Sequence, residues 1–159
     1  MDTEKKNTKA LLALKKAGIS KTSQRLAVLD ALLQSAKPLN ANTIRQSLKA
    51  KASIDKVTIY RILSLFKKRG IVREIASAGG ANYFEVVSKK NPAHPHFNCR
   101  NCGEFTCIDT KFTVKMPDSI LLKDDYSIEH IEINVSGLCS DCRDTMKSEL
   151  SKPNNGKEG

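Results

Sequence analysis

In the N-terminal half of the chain, apolar residues recur at helical spacing, broken by capping residues, and then give way to alternation. The stretch from Ala10 to Ala17 predicts a helix that ends at Gly18. Thr22 can N-cap a second helix whose stripe is Leu26, Leu29, Leu32 and Leu33, with Lys37-Pro38 as its break. Asn40 can cap a third, in which Ile44 and Leu48 form an i, i+4 pair. Asp55 and Gly70 frame a fourth, with Ile59, Ile62, Leu63 and Phe66 on one face and Lys56, Tyr60, Ser64 and Lys67 on another. The period then changes to two. IVREI and NYFEVV predict strands around the turn SAGGA, a hairpin. Helices followed by a two-stranded wing predict a winged helix-turn-helix, in which the fourth helix enters the DNA groove.

The second half reads differently. Lys89-Lys90-Asn91-Pro92 is the expected linker. HPHFNC and EFTCID predict short strands, MPDSILLKD a helix, YSIEHIEINVSG a strand and CSDCRDTMKSEL a C-terminal helix. SKPNNGKEG is polar and expected to be disordered. The predicted fold class is α+β. Residues 1–88 would form the winged helix, residues 89–150 a small zinc-containing αβ domain, and residues 151–159 a tail.

Charge sharpens this division. The chain of 159 residues carries a net +10. Residues 1–90 hold 19 Lys/Arg against 6 Asp/Glu, whereas residues 91–159 hold 8 against 11. A half at +13 joined to one at −3 predicts an anionic partner, nucleic acid, for the first half only; a solvated lysine-rich surface is the alternative. No apolar run is long enough to span a membrane, and MDTEKKNTKALLALKK lacks a signal-peptide core, so a cytoplasmic protein without a membrane partner is expected.

All five cysteines fall in the second half. Cys99-Arg-Asn-Cys102 and Cys139-Ser-Asp-Cys142 are two C-x-x-C turns, and each can offer two thiolates to one ion. Together they make a closed tetrahedral set suited to one structural zinc per chain. A redox C-x-x-C would need a βαβ context that the pattern lacks. His94, His96 and Cys107 remain. On a strand His94 and His96 share a face while Cys99 points away, so HPHFNCRNCGEFTC predicts two metals rather than one. As alternatives, the histidines are surface residues and Cys107 a buried hydrophobe.

These residues resemble the ferric uptake regulator family of bacterial metal-responsive repressors. AGISKTSQRLAVLDAL, VTIYRILSLFKKRGIV, HPHFNCRNCG and GLCSDC carry the resemblance, which runs from about Leu14 to Leu150. It implies a winged helix followed by an αβ dimerisation domain, and a homodimer that binds a palindromic double-stranded operator when loaded with metal. Cys99, Cys102, Cys139 and Cys142 match the family's structural zinc site. His94 and His96 match the histidine pair of its regulatory site at the domain hinge, and Glu85 an acidic ligand of that site. Tyr60 and Arg61 match the Y-R pair of the recognition helix, and Lys15, Lys16 and Arg25 match basic positions near the DNA backbone. Lys56 and Thr58 are further candidate DNA contacts.

The chain departs from the family's pattern in three places. Cys107 stands where a carboxylate is usual, and a set of one thiolate, two imidazoles and one carboxylate favours zinc over iron or manganese. KPLNAN carries no histidine before the third helix, which fits four-coordination. The ligands of a further metal site would fall at Ala93, Pro95, Val114 and Ile131, which bind metal poorly; His130 is read as a surface or packing residue. The expected function is therefore a metal-dependent repressor that senses zinc and controls metal-uptake genes. Iron- or peroxide-responsive regulation, a thiol oxidoreductase, and a constitutive DNA binder with structural zinc only are the alternatives. No Ser/His/Asp set or H-E-x-x-H motif supports an enzyme.

Overall fold

Four helices open the fold, and the last three each begin where a side chain accepts from a backbone amide. The structure, a computed structural model, describes residues 2–49, 53–77, 79–88, 91–92, 94–108 and 132–150. α1 (Asp2–Lys16) stops at Gly18, whose φ of 66° is the left-handed conformation that glycine adopts without strain. α2 (Ser23–Gln34) is capped by Thr22, whose hydroxyl accepts from the Arg25 amide at 3.2 Å. β1 (Leu39–Asn40) leads into α3 (Ala41–Leu48), where Asn40 Oδ1 accepts from the Thr43 amide at 2.9 Å. α4 (Lys56–Lys68) begins at Asp55, which takes the Thr58 amide at 2.8 Å, and ends at Gly70 with φ 68°.

The α4 face predicted to be apolar is the buried one: Ile59, Ile62, Leu63 and Phe66 join Leu14, Val28, Leu29, Ile44 and Leu48 in one core. On α2 the buried positions are Val28, Leu29 and Leu32, whereas Leu33 is 37% exposed. The expected stripe was thus turned too far toward Leu33, because the core lies on the side of Val28, Leu29 and Leu32.

β2 (Val72–Ala76) and β3 (Asn82–Val86) form the wing, with Arg73 opposite Glu85 and Glu74 opposite Phe84. β1 adds a third strand on the other side of β3, with Leu39 opposite Phe84. Two residues carry too little periodicity to announce a strand, so only the fold reveals it.

The second sheet has the order β5-β4-β6. β4 (His96–Cys99) runs antiparallel to β5 (Phe105–Cys107), with His96 opposite Cys107, and parallel to β6 (Asn134–Gly137), with Cys99 opposite Gly137. α5 (Ser140–Leu150) starts inside the second cysteine pair. The two sheets touch through named bonds. Tyr83 stacks on Phe105 at 4.2 Å and its hydroxyl donates to the Gly103 carbonyl at 3.2 Å. Asn134 Nδ2 donates to the Ala76 carbonyl at 3.1 Å, and Lys37 pairs with Glu104 at 2.8 Å. The predicted helix over 116–124, His130 and the tail 151–159 lie outside the described residues, as does most of the predicted strand over 126–137, apart from Asn134–Gly137 and the two residues before it.

Candidate metal centres and nucleic-acid face

The turns between β4 and β5 and before α5 bring Cys99, Cys102, Cys139 and Cys142 together, with all four Sγ atoms within 4.8 Å of one another. Cys102 Sγ and Cys139 Sγ lie 3.8 Å apart. That is about the edge, ~3.8 Å, of a tetrahedron with zinc–sulfur bonds of about 2.3 Å. The Cys139 amide donates to Cys99 Sγ at 3.3 Å, and Asn101 Nδ2 to Cys142 Sγ at 3.2 Å. The amides of Cys102 and Cys139 lower the Cys99 thiol to about 6. At Cys139 the Cys142 amide pulls downward, yet desolvation and the three neighbouring sulfurs push the thiol up to about 12. Four crowded sulfurs cannot all ionise without a shared cation, and this donor set fits zinc.

A second cluster lies at the other end of β4 and β5. Glu85, His94, His96 and Cys107 offer donor atoms within 4.8 Å of one another. Glu85 comes from β3 of the wing. His96 and Cys107 are register partners at the start of β4 and the end of β5. His94 precedes β4, so strand alternation does not orient it as expected. Its Nδ1 lies 2.8 Å from the Pro92 carbonyl instead. A carbonyl only accepts, so Nδ1 carries the proton in the neutral ring and the Nε2 lone pair is left for the site. Nε2 lies 3.6 Å from Glu85 Oε2, and His96 Nε2 lies 3.3 Å from Glu85 Oε1. The two rings are 4.5 Å apart, and His96 stacks on Phe105 at 5.4 Å. Among the described residues, His94 Nε2 and both His96 ring nitrogens are buried without a hydrogen-bond partner. Such orphans are rare in native interiors, and a shared cation would satisfy them. Zinc–nitrogen and zinc–oxygen bonds of about 2.1 Å place tetrahedral ligands roughly 3.4 Å apart, so these residues fit a zinc ion.

Burial alone would raise the Glu85 carboxyl, but the His96 ring, the Arg73 guanidinium and the Asn91 amide outweigh it and hold the group down to about 2. Burial, and then the Glu85 charge, push the Cys107 thiol up. Two neighbours of Glu85 went unnoticed in the sequence. Arg73 Nε donates to Glu85 Oε1, and Asn91 Nδ2 reaches Oε2 at 3.3 Å. The available signal was that Arg73 and Glu85 are direct partners in the predicted hairpin, where opposite charges attract.

The candidate DNA contacts divide into two groups. On α4, Lys56, Tyr60 and Arg61 are exposed opposite the buried face, and Lys56 Nζ sits 5.8 Å from the Tyr60 ring centre. Val57, not singled out from the sequence, is 59% exposed on the same helix. Lys15 and Lys16 are exposed at the end of α1. Two others hold local structure: the Thr58 hydroxyl donates to Asp55 at 2.6 Å, and Arg25 Nη1 donates to the Ser20 carbonyl at 2.7 Å.

Known proteins match this architecture along most of its length. The family model "Ferric uptake regulator family" matches residues 16–136. The peroxide-responsive repressor PerR of Staphylococcus epidermidis is 27% identical over 136 residues, covering 85% of this chain and 89% of that protein. The crystal structure of the Vibrio cholerae ferric uptake regulator superposes with a TM-score of 0.65 at 26% identity, covering 80% of this chain and 98% of that one. A zinc uptake regulator solved with zinc and DNA shares the fold, with a TM-score of 0.60 at 17% identity over 92% of this chain and 99% of that one. The expected fold class is borne out: an α+β chain with an N-terminal winged helix and a C-terminal dimerisation domain. With residues 16–136, more than half of this chain, matching that family, the chain belongs to the ferric uptake regulator family of metal-responsive transcriptional repressors.

Proposed function

We propose that this chain is a zinc-sensing repressor of metal-uptake genes, in which Glu85, His94, His96 and Cys107 form the regulatory centre and Cys99, Cys102, Cys139 and Cys142 a structural one. One observation carries the reading: four donors of mixed softness converge, with Glu85 on the wing and the other three at or beyond the linker. The single thiolate and the absence of a histidine in KPLNAN favour zinc. A domain division after residue 88 puts the centre across the hinge. A zinc ion bound there would supply a cross-link between donors from the two domains. The chain's own residues do the rest. β3 carries Glu85 and pairs with β2, which follows α4 directly, so the orientation of Glu85 is tied to that of the recognition helix.

In a homodimer, fixing that angle in both subunits fixes the distance between two α4 helices, and a palindromic operator has half-sites at one spacing. The metal-loaded form binds DNA because only it holds this spacing, which is the differential affinity a ligand switch requires. Tyr60, Arg61, Lys56 and Val57 would face base edges and nearby phosphates, with Lys15 and Lys16 on the backbone. Arg25 and Thr58 would support these contacts by holding the turn before α2 and the cap of α4.

The test is to count zinc per chain and measure operator binding, before and after mild chelation, for the wild type and Cys107→Ala. The expected result is two zincs in the wild type, one lost together with operator affinity, and one in the variant. A single inert zinc with chelator-independent DNA binding would leave only a constitutive binder. The resemblance to a peroxide-responsive repressor supports a second reading, response to peroxide through a bound iron. Peroxide added to the iron-loaded protein distinguishes them: the zinc reading predicts no oxidation of His94 or His96 by mass spectrometry.

A further inference from the structure

We propose that Arg73 is the positioning residue of the regulatory centre, holding two of its four ligands with one guanidinium. The inference rests on the reading of Glu85, His94, His96 and Cys107 as that centre. Arg73 is 13% exposed and its partner Glu85 8%. Its Nε donates to Glu85 Oε1. Its Nη2 donates to two carbonyls of the linker, Asn91 at 2.9 Å and Pro92 at 2.7 Å. The Pro92 carbonyl is the same one that accepts from His94 Nδ1 at 2.8 Å. One planar fork therefore orients the Glu85 carboxylate and anchors the carbonyl that sets the His94 tautomer. Asn91 adds a strut, since its Nδ2 donates to the Val86 carbonyl at 2.9 Å and reaches Glu85 Oε2.

The wing, the linker and the first histidine thus share one guanidinium. Groups that hydrogen-bond to metal ligands fix their orientation and tautomer in this way. Lysine cannot replace this fork, because an ammonium on a flexible stem lacks the fixed planar spread of donors needed to reach a carboxylate and two carbonyls together.

The sign of the effect separates positioning from charge. A guanidinium close to a bound dication repels it, so removing Arg73 would tighten zinc binding if charge dominated. Positioning predicts weaker binding. The experiment is a zinc titration of the full-length protein, structural zinc retained, against a competing chromophoric chelator. The chains are the wild type, Arg73→Met, Arg73→Lys and Cys107→Ser. Cobalt(II) serves as a spectroscopic probe of thiolate ligation, and nitrogen-15 NMR reports the His94 tautomer in the metal-free form.

The expected result is that Arg73→Met weakens the second zinc by about 10- to 100-fold, as for other partners of metal ligands. The His94 ring should then shift from one tautomer to a mixture, and Arg73→Lys should recover little of the affinity. Wild-type or tighter zinc binding in Arg73→Met, or full recovery in Arg73→Lys, overturns the proposal. Should Arg73→Met fail to fold, Arg73→Lys decides: undiminished affinity overturns the proposal and weakened affinity supports it. If Cys107→Ser binds as much zinc as the wild type, the reading of the centre itself fails and the proposal falls with it. A second zinc lost in Cys107→Ser but unchanged in Arg73→Met overturns the positioning role alone.

Discussion

At the scale of single residues, the two clusters differ in what their surroundings do to them. The cysteine set is exposed on one side and held by turns, with backbone amides aimed at its sulfurs. Removing one thiolate leaves three sulfurs that can no longer close a tetrahedron. Structural zinc sites of this type contribute on the order of 10 kcal/mol to folding. Cys142→Ser is expected to lose bound zinc and to unfold the second sheet while the winged helix remains, because the hydrophobic core cluster among the described residues runs from Ala10 to Phe84. Metal analysis together with the amide NMR spectrum checks this, and a variant that keeps both its zinc and the signals of β4 and β5 would count against the structural role. The Glu85 cluster is more deeply set, with Glu85 and His96 buried, and three of its four ring nitrogens lack partners. Few native interiors tolerate that arrangement without a ligand to satisfy it.

At the scale of elements, α4 shows how one helix serves both the core and the surface. Its buried face is aliphatic apart from Phe66, and its exposed face presents Lys56, Val57, Tyr60 and Arg61. Its start depends on Asp55, whose carboxylate takes bonds from the side chain and amide of Thr58 and is held below its ordinary value by them. A carboxyl with a depressed folded-state pKa contributes stability above the ordinary carboxylate range. That contribution is lost as the pH falls through the folded-state value. Asp55→Asn keeps a capping oxygen without the titration. The wild type should therefore melt above the variant at neutral pH, with the difference closing in acid. Melting curves across that range test it, and a difference independent of pH would show that the charge plays no part in the cap.

At the scale of the whole molecule, charge and metal are placed on different halves. The N-terminal half carries the excess of Lys/Arg that would neutralise phosphates, and the C-terminal half carries the metal donors, with Glu85 as the exception that joins them. If six to ten phosphates are contacted, operator affinity should fall by about 10³- to 10⁵-fold between roughly 50 and 200 mM salt. Lys56→Ala should reduce the slope of log affinity against log salt by about one, without changing metal content. A slope near zero in the wild type would remove the electrostatic basis of the DNA reading.

The helices, their caps at Thr22, Asn40 and Asp55, the wing and the cysteine pairs were legible because each is local: a cap needs one side chain within three residues, and a C-x-x-C turn carries its own geometry. Family resemblance pointed to Glu85, whose neighbours along the chain say nothing of a metal. Other features required the fold. β1 is two residues long and exists because β3 offers it an edge. Leu33 faces outward and Val28 inward because the core cluster gathers on the Val28 side of α2. His94 is oriented by a carbonyl two residues back, and Arg73 reaches that carbonyl from 19 residues away. The sequence by itself determined which donors exist and how soft they are, since that is residue chemistry. Only the tertiary structure decided which of them meet, because a hairpin partner and a linker carbonyl come together through pairing and packing that no short stretch encodes.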